Sequence, residues 1–141
     1  MAGTSGTPLP KKLGMKPGHR VLLLEAPDTF ETTLGEVPPE LDLLREPIDA
    51  PDIQILFVVE RAVFEAEFAL ALKRLPPAGA IWVGWPKRAS KVPTDMTEDV
   101  VREVALPTGV VDNKVCAIDS VWSGLRLVVR KANRAAWTGG R

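Results

Sequence analysis

Short apolar runs alternate along the chain with stretches of helical spacing. Three runs, at 20–25, 53–59 and 80–84, are almost wholly apolar, a pattern typical of parallel strands covered on both faces. Between residues 61 and 75 the apolar positions recur at intervals of three and four, which predicts a helix with one buried stripe. Prolines and glycines follow these segments and mark the loops between them.

Weaker patterns predict the remaining elements. Residues 41–45 alternate imperfectly between apolar and polar and predict a short edge strand. Asp28 is placed to cap a short helix that ends at Gly35. Thr94, Asp95 and Thr97 offer caps for another helix further along the chain.

The last two apolar segments, at 111–118 and 122–129, are joined by a connection too short for a parallel crossover, so they must form a hairpin. The element order predicts an α/β fold with a mostly parallel, doubly wound, Rossmann-like sheet of about six strands ending in this antiparallel hairpin. We expect one domain over 19–131. A loose segment with a short helix over 1–18 should precede it, and a disordered tail over 132–141 should follow it.

Composition narrows the class of protein. Of the 141 residues, 45% are hydrophobic, Cys116 is the single cysteine, and neither a signal-peptide core nor an apolar run of membrane-spanning length is present. We therefore expect a cytoplasmic protein with no membrane partner. The net charge is zero, but residues 1–83 carry 8 basic and 12 acidic side chains and residues 84–141 carry 10 and 6. Such asymmetry can mark an anion-binding face, whereas bulk nucleic-acid binding is not indicated.

Three segments together resemble a shortened version of the class I methyltransferases: Pro17-Gly-His-Arg-Val-Leu-Leu-Leu-Glu25, Asp52–Val59 and Leu75–Val83. The resemblance implies that these segments contain central strands of that fold and that the terminal hairpin belongs to the same sheet. A second set of segments is similar to an uncharacterised bacterial family of short proteins, a domain of unknown function, which implies no activity. That set comprises Ser5–Leu9, Lys12–Gly14, Trp85–Lys87, Asp112–Cys116 and Trp122–Arg126.

The turn after the first strand departs from the methyltransferase pattern. In that family the turn is rich in glycine, because a missing Cβ lets the backbone approach adenosylmethionine. Here Glu25 matches the acidic residue that opens the motif, but Ala26 and Pro27 replace the glycines, and Pro27 removes an amide donor. We therefore expect no cofactor, and the missing turn argues against an enzyme.

Two polar groups are candidate ligand-binding sites. The basic cluster Lys87, Arg88 and Lys91, with Asp95 in the nearby cap region, follows a parallel strand, and ligands of open α/β sheets collect beyond the carboxyl ends of such strands. The hairpin is expected to unite a second group, whose members are Asp112, Asn113, Lys114, Trp122, Ser123 and Arg126. For the first group the structural alternative is a solvated loop, and for the second it is a surface ion pair.

Other chemistry is disfavoured. Cys116 lies in an apolar strand, where a thiol is protonated and inert. His19 is the single histidine, so metal clusters of the Cys/His kind are excluded by count. Neither a phosphate-cradling glycine loop with Lys nor a dinucleotide fingerprint is present.

The sequence does not specify a reaction. Our leading hypothesis is a non-catalytic Rossmann-like module that binds a small anionic ligand or a protein partner. One alternative is a divergent adenosylmethionine-dependent, methyltransferase-like transferase, in which Glu25 and Glu46 would contact the ribose and the lysines near Lys87 the acceptor. The other alternative is a structural subunit that forms a homodimer.

Overall fold

Six strands in the described residues form one mixed sheet. The computed structural model describes residues 6–139. The strands are β1 (Arg20–Leu24), β2 (Asp42–Leu44), β3 (Ile53–Phe57), β4 (Ala80–Pro86), β5 (Val110–Ala117) and β6 (Trp122–Val129). They lie in the order β2-β1-β3-β4-β6-β5, and β6 runs antiparallel to both of its neighbours. The predicted mostly parallel sheet with a terminal hairpin is confirmed, and β2 lies at an edge as expected.

Helices cover both faces of this sheet. The α-helices are α1 (Leu9–Lys12), α2 (Phe30–Leu34), α3 (Arg61–Arg74) and α4 (Glu98–Ala105), and short 3-10 helices cover Arg88–Ser90, Leu106–Thr108 and Lys131–Ala136. Leu9, Phe30 and Leu34 from α1 and α2 join the core on one face, whereas Phe64 and Val101 from α3 and α4 join the core on the other. The sheet is therefore doubly wound, because the connection after β1 passes over one face and the connection after β3 over the other.

The flanking residues show how α4 begins and how α2 ends. Thr97 is the N-cap of α4, and its hydroxyl accepts a hydrogen bond from the Val100 amide at 3.1 Å. Helix α2 starts after Thr29 with no side-chain cap, so our assignment of Asp28 as its cap is wrong. Its predicted end is confirmed, since Gly35 follows with φ of 72°.

The N-terminal segment packs tightly on the sheet instead of lying loose. Leu9, Leu13 and Met15 are buried, and the Trp82 indole Nε1 donates a hydrogen bond to the Leu13 carbonyl at 3.0 Å. The predicted short helix is present as α1. Residues 1–5 lie outside the described residues.

The C-terminal segment is also ordered where it is described. After its 3-10 helix, Trp137 Nε1 donates to the Leu75 carbonyl at 2.8 Å, and the Asn133 amide donates to the Gly109 carbonyl at 3.0 Å. Our prediction of a disordered tail is therefore wrong for residues 132–139, because the indole anchors this segment to the end of α3. Residues 140–141 lie outside the described residues. Among the helices described, none is long and apolar enough to cross a membrane.

Replacing Leu13 with Ala tests whether the N-terminal segment belongs to the core. The side chain is fully buried, so Leu13→Ala should lower the free energy of unfolding by about 2–5 kcal/mol in urea denaturation. Lys11→Ala in the exposed part of the same segment is the control and should change it by less than about 0.5 kcal/mol. Equal, small effects of the two substitutions would mean that the segment contributes nothing to the core.

Candidate functional site

A crevice opens at the edge where the parallel strands β1 and β3 end. Its cavity has a volume of about 210 Å³ and is lined by Glu25, Phe57, Val58, Val59, Glu60, Val63 and Trp122. Glu25 directly follows β1 and adopts a left-handed backbone conformation with φ of 56°. The chain leaves β1 toward one face of the sheet and β3 toward the other, so the crevice lies at the topological switch point. Ligands of open α/β sheets bind at such points.

The crevice combines apolar walls with negative charge. The Phe57 and Trp122 rings meet edge to face, with centroids 5.1 Å apart. Its two charged lining residues, Glu25 and Glu60, are both acidic. A cation next to carboxylates and aromatic rings is stabilised by both, so the lining favours a positively charged ligand. This site is thus opposite in sign to the anion site that we expected from the sequence.

Arg45, immediately after β2, holds the loop that follows β1. Its guanidinium donates to the carbonyl oxygens of Ala26 at 3.1 Å and Pro27 at 2.9 Å. It also donates to both carboxylate oxygens of Glu31, at 3.2 and 2.9 Å. This hydrogen-bonded pair lowers the pKa of Glu31 below its ordinary value. Sequence reasoning missed Arg45, whose only signal is a basic residue at the end of a predicted strand.

A second cavity, which we call the β4 pocket, adjoins the end of the next strand. Its volume is about 450 Å³, and it is lined by Trp85, Pro86, Arg88, Lys91, Val92, Pro93, Thr94, Met96, Thr97 and Glu98. Arg88 and Lys91 form no ion pair with any described residue, whereas Glu98 pairs with Arg102 at 2.5 Å. The pocket therefore offers an apolar wall beside two uncompensated positive charges.

The first predicted group is only partly assembled at this pocket. Lys91 lines the pocket, but Lys87 does not. The backbone amide of Lys87 donates to the Val121 carbonyl at 2.7 Å. Asp95 does not line it either, because its carboxylate accepts the Arg61 amide at 2.7 Å and caps α3. Arg88, which the sequence places in the same basic cluster, also lines the pocket.

The second predicted group is divided among four places. Asp112 pairs with Arg102 Nε at 3.2 Å on the α4 side, and Trp122 lies at the crevice. Ser123 pairs with Trp85 within the sheet. Asn113, Lys114 and Arg126 line a third cavity together with Lys12 and Gly14. A β-bulge between Asp112 and Lys114 explains the split, because one inserted residue turns the two side chains to opposite faces.

The remaining residues that the sequence singled out line neither the crevice nor the β4 pocket. Glu46 is exposed after β2 and does not line the crevice, so the structure does not bring it next to Glu25. Burial raises the pKa of the Cys116 thiol, and the ammonium groups of Lys12 and Lys114 offset only part of this effect. His19 Nδ1 accepts the Lys16 amide at 3.3 Å. Residues 6–139 contain no cluster of three or more His, Cys, Asp or Glu side chains suited to a metal ion.

Solved structures with this architecture share one fold. Fibrillarin from Aeropyrum pernix, solved with natively bound S-adenosylmethionine, matches with a TM-score of 0.55 and 14% identity over 90% of this chain and 71% of its own. An O-methyltransferase of neocarzinostatin biosynthesis, solved with S-adenosylmethionine and a naphthoic acid, matches with a TM-score of 0.53 and 12% identity over 80% of this chain and 49% of its own. A putative methyltransferase from Thermoplasma acidophilum has a TM-score of 0.51 at 7% identity, over 83% and 70% of the two chains.

The chain has the class I methyltransferase fold. It spans about half the length of the O-methyltransferase, and at these identities the likeness establishes the fold alone. Neither a family model nor a curated protein matches the sequence. The resemblance to a bacterial family, the cytoplasmic location and the homodimer therefore remain predictions.

The comparisons correct our expectation of a chain without a cofactor. That prediction is contradicted, because fibrillarin and the O-methyltransferase of the same fold were each solved with S-adenosylmethionine bound. The fold is also the one that the transferase alternative assumes, and no comparison supports the non-catalytic module that we placed first. The absence of glycine after β1 was the basis of both expectations, and it did not account for Arg45, which orders the same loop through its carbonyl groups.

Replacing Arg45 with Met tests this restraint through its pH dependence. Because the pKa of Glu31 is lowered in the folded state, the pair stabilises the protein above the ordinary value of 4.5, and this contribution is lost as the pH falls through the folded-state pKa. At pH 7 the ion pair of these exposed side chains should contribute roughly 0–1 kcal/mol. In Arg45→Met the decrease in Tm should therefore be larger at pH 7 than at pH 3.

Arg130→Met is the control for this measurement, since Arg130 is exposed and forms no ion pair with a described residue. A Tm difference for Arg45→Met that did not narrow on acidification would show that Glu31 contributes nothing through its charge. A difference that persists after Glu31 is protonated would include the two hydrogen bonds from Arg45 to the loop carbonyls.

Proposed function

We propose that the crevice binds S-adenosylmethionine and that the protein is a small methyltransferase-like transferase. The observation that carries this proposal is the position of the crevice, at the switch point between the ends of β1 and β3, together with its acidic and aromatic lining. The fold shared with adenosylmethionine-bound structures supports the same ligand.

The charge of the lining fits this cofactor. Adenosylmethionine has a sulfonium cation, and Glu25 and Glu60 would face it with carboxylates while Phe57 and Trp122 offer aromatic surface. A cavity of about 210 Å³ is smaller than the roughly 300–1,000 Å³ of an enclosed ligand site. The cofactor would thus lie along the open edge of the sheet with only part of its surface enclosed.

The chemistry divides between cofactor and protein. When bound, adenosylmethionine supplies an electrophilic methyl group, which bonds to an acceptor nucleophile while the electron pair of the carbon–sulfur bond returns to sulfur and leaves adenosylhomocysteine. Among the residues that line the crevice, only Glu25 and Glu60 have side chains able to take up the proton that the acceptor loses. The apolar neighbours Val59 and Val63 would limit the access of water.

The β4 pocket is our proposed acceptor site. It adjoins the end of β4, the strand next to β3, and so follows the crevice along the same edge of the sheet. Trp85 and Met96 offer apolar surface, and the unpaired Arg88 and Lys91 would bind an anionic group. We infer an acceptor that is apolar and carries a carboxylate or phosphate. The naphthoic acid bound by the O-methyltransferase of the same fold is a molecule of this kind.

Isothermal titration calorimetry with adenosylmethionine and adenosylhomocysteine tests the cofactor. Both should bind the wild-type protein. Glu25→Gln should weaken adenosylmethionine binding by roughly tenfold, or 1.4 kcal/mol, and adenosylhomocysteine binding by less, because only the former carries the sulfonium charge. Glu36→Gln, which removes an exposed carboxylate outside the crevice, should change neither affinity. Failure of both ligands to bind the wild-type protein would exclude the proposal.

A hydroxynaphthoic acid and the corresponding neutral naphthol test the acceptor pocket. Arg88→Gln combined with Lys91→Gln should weaken binding of the acid at least roughly tenfold and leave that of the naphthol unchanged, because only the acid carries a carboxylate. The double variant Arg130→Gln with Lys131→Gln makes the same change in net charge at exposed positions and serves as the control. Equal losses for the acid and the naphthol would refute the proposed role of the two cations.

A further inference from the structure

A third cavity lies away from the crevice, on the face of the sheet that α1 covers. We call it the basic hollow; its volume is about 220 Å³, and it is lined by Lys12, Gly14, Asn113, Lys114 and Arg126. Lys114 and Arg126 are cross-strand partners on β5 and β6, and Arg126 is also the partner of Trp82 on β4. The hollow therefore combines the middle of the hairpin with the turn after α1.

Positive charge in the hollow is not neutralised by the protein. None of Lys12, Lys114 and Arg126 forms an ion pair with a described residue, and no carboxylate lines the cavity. Arg126 is partly buried, and its burial lowers the pKa of the guanidinium. Removing a cation from water without a counter-ion costs free energy. An anion in the hollow would offset this cost.

The two ammonium groups are held in place by backbone carbonyls. Lys12 Nζ donates to the Ala117 carbonyl at 3.2 Å, and Lys114 Nζ donates to the Lys12 carbonyl at 2.7 Å. An ammonium has three N–H donors, so each retains two for a ligand. The Asn113 amide adds another donor at the rim. The donors are thus positioned before any ligand arrives, which reduces the entropic cost of binding.

We propose that the basic hollow binds the phosphate group of a small phosphorylated molecule. Three positive charges suit a dianion, and the planar guanidinium of Arg126 can contact two phosphate oxygens at once while the two ammonium groups act as point charges. The cavity volume fits a phosphomonoester group and is too small to enclose a larger ligand. This site is separate from the crevice and does not depend on the proposed transferase activity.

Calorimetry and thermal denaturation of the full chain with inorganic phosphate test the site. Phosphate should bind and raise the Tm of the wild-type protein more than sodium chloride does at matched ionic strength. Arg126→Gln should weaken phosphate binding at least tenfold. In phosphate-free buffer the same substitution should leave Tm unchanged or raise it, because it removes a partly buried charge that has no counter-ion among the described residues. Arg130→Gln, with the same change in net charge at an exposed position, should bind phosphate as the wild type does.

Three results would overturn this assignment. The first is a phosphate effect no larger than that of chloride, which would be ionic screening alone. The second is an equal loss of phosphate binding in Arg126→Gln and Arg130→Gln. The third is binding of a short oligonucleotide without binding of phosphate, which would assign the charges to a nucleic-acid surface. If Arg126→Gln does not fold, Lys114→Gln takes its place with the same expected loss of phosphate binding.

Discussion

The buried indole of Trp82 contacts both the N-terminal segment and the hairpin at the centre of the sheet. It lies in β4, at the centre of the sheet, and its Nε1 donates to the Leu13 carbonyl, which attaches the N-terminal segment to the α1 face. A Cβ at Gly124 would stand 3.1 Å from its ring and 3.1 Å from the Ile118 side chain, a tight contact, so a glycine at residue 124 favours the close approach of the hairpin to β4. Lys12 reaches Ala117 on the hairpin from this attached segment. The position of Lys12 in the basic hollow therefore depends on the hydrogen bond between the Trp82 indole and the Leu13 carbonyl.

The sequence predicted the sheet better than it predicted the residues around it. Continuous apolar runs and short connections are local signals, so the central strands, the edge strand and the hairpin could all be identified. The packing of Leu13 and the anchoring of Trp137 involve partners 69 and 62 residues away in the chain, which no local pattern reveals. The bulge in β5 is likewise invisible in the local pattern, and it places Asp112 and Lys114 on opposite faces although we expected them in one polar group.

Side chains that cap or restrain the backbone are easily mistaken for ligand-binding residues. Asp95 and Thr94 both lie in a loop rich in polar residues, but Asp95 accepts the Arg61 amide and Thr94 donates to the Val59 carbonyl. These contacts attach the loop after β4 to the start of α3. The loop thereby connects the crevice, where Val59 and Glu60 lie, to the β4 pocket. Asp95 thus positions the β4 pocket without lining it, whereas Thr94 both restrains the loop and lines the pocket.

The distribution of charge explains how a chain of zero net charge can serve ligands of opposite sign. The crevice is lined by acids from the N-terminal part of the chain, and the two basic cavities draw most of their cations from the C-terminal part. The crevice and the β4 pocket lie at neighbouring strand ends, whereas the basic hollow lies on the face that α1 covers. A cationic cofactor and an anionic acceptor could thus occupy neighbouring strand ends and attract each other, since their lining charges differ in sign. The restraint of the β1 loop by Arg45 fits the same arrangement, because its guanidinium is bound to two carbonyl groups and Glu31, whereas Glu25 and Glu60 line the crevice without an ion pair to a described residue.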